Sequence, residues 1–222
     1  MHIPKTAGSA IKNYLASEYP EKIEYVSSHR PRKFLEMPGF EYAKDYTKVA
    51  LIREPARWWK SWYNYHLHKK RMCPITHTTF TNPLKEYNLR KFKIKDINQA
   101  IQDSLDLTAF FENIGIELLR RRLKIHRTNH VNTFINNYNI TPEFFNHQSI
   151  YSFYINNMID EDTVVFRYED QFEEFLDFME IPKPPRDNVT PYKKDYDQKT
   201  LDLIYEKERN IYERFYPDIK LP

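Results

Sequence analysis

The chain begins with a short motif, His2-Ile3-Pro4-Lys5-Thr6-Ala7-Gly8-Ser9-Ala10, and a helical pattern follows this motif to about Glu18. The apolar residues before the turn predict the end of a strand. A helix that directly follows a strand points its first backbone N–H groups at a ligand, and its dipole adds positive partial charge. Gly8 permits close approach to the backbone, Ser9 offers a hydroxyl and Lys5 a positive charge. The stretch therefore predicts an anion-binding loop.

A second strand-to-helix junction lies at Leu51-Ile52-Arg53-Glu54-Pro55. The apolar residues 49–52 predict a short buried strand, and an aromatic-rich helix follows to about residue 70, with Pro55 suited to its first turn. Arg53 can bind phosphate oxygens with two parallel hydrogen bonds, and Ser61 places a hydroxyl on the same helix. Alternatively, Arg53 and Glu54 are only helix-start charges. The three tryptophans of this helix are expected in the hydrophobic core: Trp58, Trp59 and Trp62.

The second half of the chain repeats the strand-and-helix pattern. Residues 163–168 predict a strand, and Glu169 and Asp170 are expected to cap the helix that follows. That helix has apolar residues at core-facing spacing: Phe172, Phe175, Leu176 and Met179. We also predict helices over residues 141–157 and 198–216. This alternation predicts an α/β fold in which helices flank a central parallel sheet, with ligands at the carboxyl ends of the strands.

The composition is that of one soluble globular domain spanning residues 1–222. Hydrophobic residues make up 41% of the chain and charged residues 29%, and the net charge of +3 does not predict nucleic-acid binding. Cys73 is the single cysteine, so an internal disulfide and a cysteine-rich metal site are excluded. We find no apolar run that could span a bilayer and no secretory leader, which predicts a cytoplasmic protein for the chain as written.

The two motifs together carry a family resemblance. The loop at residues 2–9 closely resembles the 5′-phosphosulfate loop of PAPS-dependent carbohydrate sulfotransferases, the group that contains heparan sulfate 2-O-sulfotransferase. Residues 51–61 resemble the 3′-phosphate motif of the same family. The resemblance implies a P-loop-like sulfotransferase fold and transfer of a sulfuryl group from PAPS to an acceptor hydroxyl. PAP is then the product, and no metal is implied.

The resemblance also implies which residues bind the nucleotide. In this family the lysine contacts the phosphosulfate bridge and the loop amides bind the 5′-phosphate. The arginine and the serine bind the 3′-phosphate. A later loop at residues 190–194 resembles the lysine-bearing segment that closes over the nucleotide in this family. The cofactor-binding residues are therefore expected to be Lys5, Thr6, Ala7, Gly8, Ser9, Ala10, Arg53, Ser61 and Lys193.

Catalysis of sulfuryl transfer requires a base for the acceptor hydroxyl and a positive charge near the leaving oxygen. A neutral histidine accepts protons near neutral pH, and His29 follows a predicted strand at residues 23–27. His29 also lies between the two motifs, where 2-O-sulfotransferases carry their catalytic histidine. We therefore expect His29 to be the base and Lys5 to stabilise the leaving oxygen. The alternative is a solvated histidine in a basic turn.

The acceptor is expected to be a carbohydrate or another hydroxyl-bearing molecule. The basic residues that follow His29 suit an acidic glycan: Arg30, Arg32 and Lys33. Residues 146–149 resemble a family segment near the acceptor cleft, which makes His147 and Gln148 candidate acceptor contacts. If the chain is the soluble part of a membrane-anchored enzyme of this family, the Golgi lumen is the expected location.

Two other functions remain open from the sequence. A P-loop-like small-molecule kinase would need ATP and magnesium, but in the ATP-binding loop G-x-x-x-x-G-K-[ST] the lysine follows the last glycine, whereas Lys5 precedes Gly8. A non-catalytic polyanion-binding module would bind with steep salt dependence and without a requirement for Lys5. That second function leaves both nucleotide motifs unexplained.

Overall fold

The computed structural model describes residues 3, 6–22, 45–68, 97–102, 105–106, 108–109, 146–184 and 195–221. These residues combine helices with a two-stranded parallel sheet. Within these ranges, no helix is both long enough and apolar enough to cross a bilayer.

The sheet pairs strands that lie far apart in the sequence. Strand β1 (Lys48–Ile52) runs parallel to strand β2 (Thr163–Arg167), with Lys48 opposite Thr163 and Ile52 opposite Arg167. Both strands were predicted from their short apolar runs, and both predictions are confirmed. The ladder continues past β2, because the backbone N–H of Tyr168 donates to the carbonyl of Ile52 at 2.8 Å. The residues after the two strands are therefore neighbours.

Seven helices are present among the described residues, together with a short 3₁₀ helix at Pro20–Lys22. The helix after the first motif begins at Gly8 and the helix after the second begins at Pro55, as the motifs predicted. In chain order the helices are α1 (Gly8–Glu18), α2 (Pro55–His68), α3 (Ile97–Gln102), α4 (Ile150–Met158), α5 (Phe172–Phe178), α6 (Gln198–Lys207) and α7 (Arg209–Phe215).

Helices pack against both faces of the sheet. Alternate residues of β1 point to opposite faces, so they belong to two different cores. Ala50 and Ile52 belong to the larger core, which they share with residues of α2, α3, α4, α6 and α7. Leu51 belongs to a smaller core with Ile11 of α1, and with Phe175 and Leu176 of α5. The described residues thus form helix, sheet and helix layers, an arrangement typical of parallel sheets buried on both faces.

The larger core is built around the tryptophans of α2. The Trp58 ring is inaccessible to solvent and stacks on Trp62 and on Tyr151 of α4, with ring centroids 4.9 and 4.5 Å apart. Trp59 packs edge-on against Trp58 at 5.1 Å. The expectation that these tryptophans are core residues is confirmed.

Two helix predictions from the second half are wrong in part. The helix predicted over residues 198–216 is broken at Glu208, whose side chain is completely buried. The helix predicted from residue 141 begins, among the described residues, only at Ile150, because Asn146 and His147 adopt left-handed backbone angles, with φ of 45° and 52°. In both places tertiary contacts override a helical pattern.

The predicted core face of α5 is also shorter than expected. Phe175 and Leu176 are buried, whereas Met179 is 37% exposed and Phe178 is 48% exposed. Met179 therefore does not belong to the core. It lies one residue beyond Phe178, the last residue of α5.

The two phenylalanines of α5 allow a matched test of the smaller core. We expect Phe175→Ala to lower the free energy of unfolding by about 3–5 kcal/mol, because it removes a buried ring and leaves a cavity. Phe178→Ala removes a half-exposed ring from the same helix and should cost no more than about 1.5 kcal/mol. Urea-induced unfolding measures both values. Equal losses would contradict the placement of α5.

Candidate functional site

The carboxyl ends of β1 and β2 form the candidate site. Because Ile52 lies opposite Arg167, the next residues of each strand come together at one edge. The backbone N–H of Glu54 donates to Glu169 Oε2 at 3.1 Å, which joins the two strand ends directly. This edge is where ligands bind in open parallel sheets.

Arg53 is held at its backbone and at its guanidinium group. The Tyr151 hydroxyl donates to the Arg53 carbonyl and accepts from the Arg53 backbone N–H at 3.3 Å. The guanidinium carbon lies 5.1 Å from the centroid of the Tyr168 ring, and Nε lies 3.8 Å from Glu169 Oε1. The side chain remains 26% exposed. Arg53 is thus a partly accessible cation in a defined position.

Glu54 is buried and caps α2. Its carboxylate accepts from the backbone N–H groups of Ala56 at 3.1 Å and Arg57 at 2.8 Å, and from the hydroxyl of Tyr212 on α7. The interpretation of Glu54 as a helix-start charge is confirmed. Capping by a carboxylate also suits the positive end of the helix dipole.

Glu169 contacts the junction between β1 and α2, and not α5, the helix that follows it in the chain. Its Oε2 accepts from the backbone N–H of Glu54 and from the hydroxyl of Tyr216 at 3.2 Å. Burial raises the pKa of Glu169, against the hydrogen bond from Glu54 and the charge of Arg53, which lower it. Among the described residues α5 has Gln171 at its N-cap and no side-chain cap hydrogen bond, so the prediction that Glu169 caps α5 is wrong.

Asp170, the other residue predicted to cap α5, pairs with Arg167 instead. The physical reason for both errors is that each carboxylate finds a stronger partner outside α5. Asp170 finds a guanidinium group, and Glu169 finds a backbone N–H, a hydroxyl and a cation.

Tyr212 of α7 and Tyr216, the residue after α7, supply neutral donors to these carboxylates. Burial raises the pKa of both Tyr212 and Tyr216, and the negative charges of Glu54 and Glu169 raise it further. Both hydroxyls therefore stay protonated across the physiological range. They fix α7 against the strand ends.

The predicted anion-binding loop is described from Thr6 onward. The Thr6 side chain is buried, and its hydroxyl donates to the carbonyl of Ile3 at 2.7 Å. Ala7 occupies the N-cap of α1 with a left-handed φ of 59°, which costs a non-glycine residue on the order of 1 kcal/mol. Gly8, Ser9 and Ala10 form the first turn of α1.

The start of α1 has the features of an anion site. In the described part of the chain, its N-cap makes no side-chain hydrogen bond and its first turn carries no acidic residue. The first backbone N–H groups of a helix have no acceptor within the helix. The turn can therefore donate to a ligand.

One core links the start of α1 to the neighbourhood of Arg53. Ala7 and Tyr168 both pack against the smaller core. The Arg53 guanidinium lies over the Tyr168 ring.

The other predicted site residues are placed only in part. Ser61 lies on α2 with a half-buried side chain. Lys5, His29 and Lys193 lie outside the described residues. The chain after Lys193 contacts α2, since Asp195 pairs with Lys60 and the Tyr196 hydroxyl donates to the carbonyl of Ala56 at 2.8 Å.

The two predicted acceptor residues, His147 and Gln148, line a polar cleft of about 350 Å³. Across the cleft lie Lys207, Arg209 and Asn210, at the corner between α6 and α7. His147 Nδ1 lies 3.0 Å from Asp106 Oδ2. The cleft offers hydrogen-bonding groups of both charge signs.

Glu208 is a buried carboxylate that sequence reasoning missed, because it falls within a helical pattern. It accepts from the Trp59 indole N–H at 3.0 Å and from the hydroxyls of Ser149 and Ser152. Burial raises its pKa, and these three hydrogen bonds oppose the rise. Glu208 therefore joins α2 and α4 to the α6–α7 corner.

The raised pKa of Glu208 predicts how the stability of the protein depends on pH. The folded state binds this proton more tightly than the unfolded state, so stability should fall as pH rises above the usual glutamate value through the folded pKa. Glu208→Gln removes this titration. We therefore expect the free energy of unfolding of Glu208→Gln to increase relative to that of the wild type between pH 5 and pH 8. The increase should be no more than about 1.4 kcal/mol per pH unit.

Urea-induced unfolding at both pH values measures this difference. The control is Glu206→Gln on exposed α6 surface, which should show little pH dependence relative to the wild type. The same pH dependence in Glu208→Gln and the wild type would contradict the assignment.

No protein-family model, curated protein or solved structure matches this chain.

Proposed function

We propose that this chain is a PAPS-dependent sulfotransferase with a P-loop-like fold, and that it transfers a sulfuryl group to a carbohydrate hydroxyl. One observation carries the proposal. Arg53, partly exposed after the carboxyl end of β1, lies over Tyr168, and Tyr168 packs against the same core as Ala7 at the start of α1. This pair of elements suits a ligand with two separate phosphate groups.

The nucleotide would use both elements at once. The backbone N–H groups of the first turn of α1 bind the 5′-phosphate, where the helix dipole also favours negative charge. Arg53 binds the 3′-phosphate in a bidentate manner, with Ser61 as the second donor. Lys193 adds a second positively charged side chain to that of Arg53. The residues that follow Lys193 contact α2.

The chemistry falls to Lys5 and His29. A bond forms between the acceptor oxygen and sulfur while the bond between sulfur and the 5′-phosphate oxygen breaks. His29 takes the proton of the acceptor hydroxyl, and Lys5 stabilises the negative charge that develops on the leaving phosphate oxygen. These needs resemble those of phosphoryl transfer, where positioning and electrostatics dominate.

The acceptor class follows from the charges around these residues. Arg30, Arg32 and Lys33 follow His29 in the sequence and suit a carboxylated or sulfated glycan. The cleft beside His147 and Gln148 offers amide and charged groups that can bind sugar hydroxyls.

Binding of PAP tests the nucleotide site. We expect the wild type to bind PAP at micromolar concentrations and Arg53→Ala to weaken binding by about 1.5–3 kcal/mol, the range for hydrogen bonds to a charged group. Isothermal titration calorimetry measures both. Arg57→Ala is the matched control, because this exposed arginine lies four residues away and should leave PAP affinity unchanged. Binding of ATP with magnesium but not of PAP would instead support a kinase.

Sulfuryl transfer tests the two catalytic residues. With radiolabelled PAPS and desulfated heparan sulfate, we expect His29→Ala to lower the transfer rate about 10²–10⁴-fold while PAP affinity stays unchanged, because a general base acts on the acceptor. Lys5→Ala should lower both the rate and PAP affinity. Full activity of His29→Ala would show that His29 is not the base. Heparin binding without nucleotide binding would favour a polyanion-binding module.

A further inference from the structure

We propose that Asp106 is a positioning residue of the cleft beside α4, and that it holds the His147 ring so that Nε2 accepts a hydrogen bond from a sugar hydroxyl of the acceptor. The inference rests on the proposed function, because it takes the acceptor to be a carbohydrate. Asp106 belongs to neither of the two sequence motifs.

The His147 ring is paired with a carboxylate that can only accept hydrogen bonds. His147 Nδ1 lies 3.0 Å from Asp106 Oδ2. Burial raises the pKa of Asp106, but hydrogen bonds from the Ala109 backbone and the His147 ring lower it. The charge of Lys207, whose Nζ lies 3.6 Å from Oδ2, lowers it further, and the net pKa is below the usual aspartate value. The shared proton therefore belongs to Nδ1, and Nε2 of the uncharged ring is an acceptor.

Both members of this pair are held by hydrogen bonds that involve the backbone. Asp106 Oδ1 accepts from the backbone N–H of Ala109 at 3.1 Å. The backbone N–H of His147 donates to the hydroxyl of Thr108 at 2.8 Å, and Thr108 is buried. His147 has a left-handed φ of 52° at this point. Asp106 and Thr108 therefore orient both the ring and the backbone of His147.

The rest of the His147 side chain is accessible to a ligand. The side chain is 67% exposed and lines the polar cleft, and in the described part of the chain Nε2 makes no hydrogen bond. The side-chain oxygen of Gln148 accepts from Asn156 Nδ2 at 2.9 Å, which leaves the amide N–H groups of Gln148 as donors. Because a sugar hydroxyl both donates and accepts, it can donate to His147 and accept from Gln148.

The cleft shares the first turn of α4 with the carboxyl edge of the sheet. The Tyr151 hydroxyl donates to the carbonyl of Arg53, and the next residue, Ser152, lines the cleft. The Ser152 hydroxyl donates to Glu208 at the corner between α6 and α7. An acceptor bound in this cleft would thus lie beside the strand ends, where we propose that the nucleotide binds.

Other charged groups around the cleft determine how its pH dependence is tested. They are Asp106, Glu206, Lys207, Arg209 and Glu213. A change of pH alters the binding of a charged glycan through several groups at once. The ratio of the KM of His147→Ala to that of the wild type removes these shared effects, because only the wild type titrates at this position.

Nitrogen NMR of the histidine rings tests the tautomer without a ligand. In protein labelled with nitrogen-15, His147→Ala identifies the His147 signals by their loss. At about pH 8 we expect a protonated Nδ1 and an unprotonated Nε2 in the wild type. Asp106→Asn should populate the opposite tautomer, because its side-chain amide can donate to Nδ1. The matched control is Asp202→Asn, at an exposed α6 residue that pairs with Gln198, and it should leave the tautomer unchanged.

Initial rates with radiolabelled PAPS and desulfated heparan sulfate test recognition of the acceptor. We expect Asp106→Asn and His147→Ala to raise the KM for the glycan about three- to tenfold, the effect of one hydrogen bond. The kcat and the affinity for PAP should change by less than about twofold, and Asp202→Asn should match the wild type. The KM ratio of His147→Ala to the wild type should fall between about pH 8 and pH 6, because a protonated ring cannot accept a hydrogen bond.

Four results would overturn the inference while leaving the nucleotide site intact. They are a wild-type ring protonated at Nε2, an unchanged KM in both variants, a loss confined to kcat, and a KM ratio that grows toward pH 6. The third would identify His147 as a base, and the fourth would show that the charged ring binds an anion. Circular dichroism establishes that each variant is folded.

Failure of the proposed function gives a different pattern. A wild type that binds PAP but does not transfer to desulfated heparan sulfate would overturn the carbohydrate acceptor, and the inference with it. A wild type that does not bind PAP would overturn the sulfotransferase proposal as a whole.

Discussion

The parallel pairing of β1 with β2 is the constraint on which the rest of the described structure depends. Its register sets Ile52 opposite Arg167, and so brings Glu54 and Glu169 into hydrogen-bonding contact at the carboxyl edge. A slip of one residue would turn alternate side chains to the other face and exchange the two cores. The helices on each face, with their large buried aromatic rings, therefore stabilise this register and no neighbouring one.

Two buried carboxylates and one half-buried carboxylate connect the helices to this edge. Glu54 accepts from a hydroxyl of α7, Glu169 from the hydroxyl of Tyr216 just after α7, and Glu208 from an indole and two hydroxyls. A buried carboxylate is costly unless its oxygens accept hydrogen bonds. Neutral donors satisfy Glu54 and Glu208, whereas Glu169 accepts two neutral hydrogen bonds at Oε2 and has Arg53 Nε 3.8 Å from Oε1. These contacts give the surrounding helices fixed positions. That rigidity is what a binding site at the strand ends requires.

The proposed nucleotide site combines a strained loop with an ordered cation. Ala7 keeps a left-handed backbone at the start of α1, and such strain in a non-glycine residue is commonly found at functional sites. Arg53 is held by its backbone, by an aromatic ring and by a carboxylate.

The local elements could be predicted from the sequence, because periodicity and capping are local signals. They are the two strands, the starts of α1 and α2, and the tryptophan core. It did not predict that Glu169 turns to the other strand, that Glu208 breaks the last helix, or that the backbone at His147 is left-handed. These features arise from tertiary contacts. Each depends on a partner distant in the chain, and sequence periodicity carries no information about which distant residue satisfies a buried carboxylate.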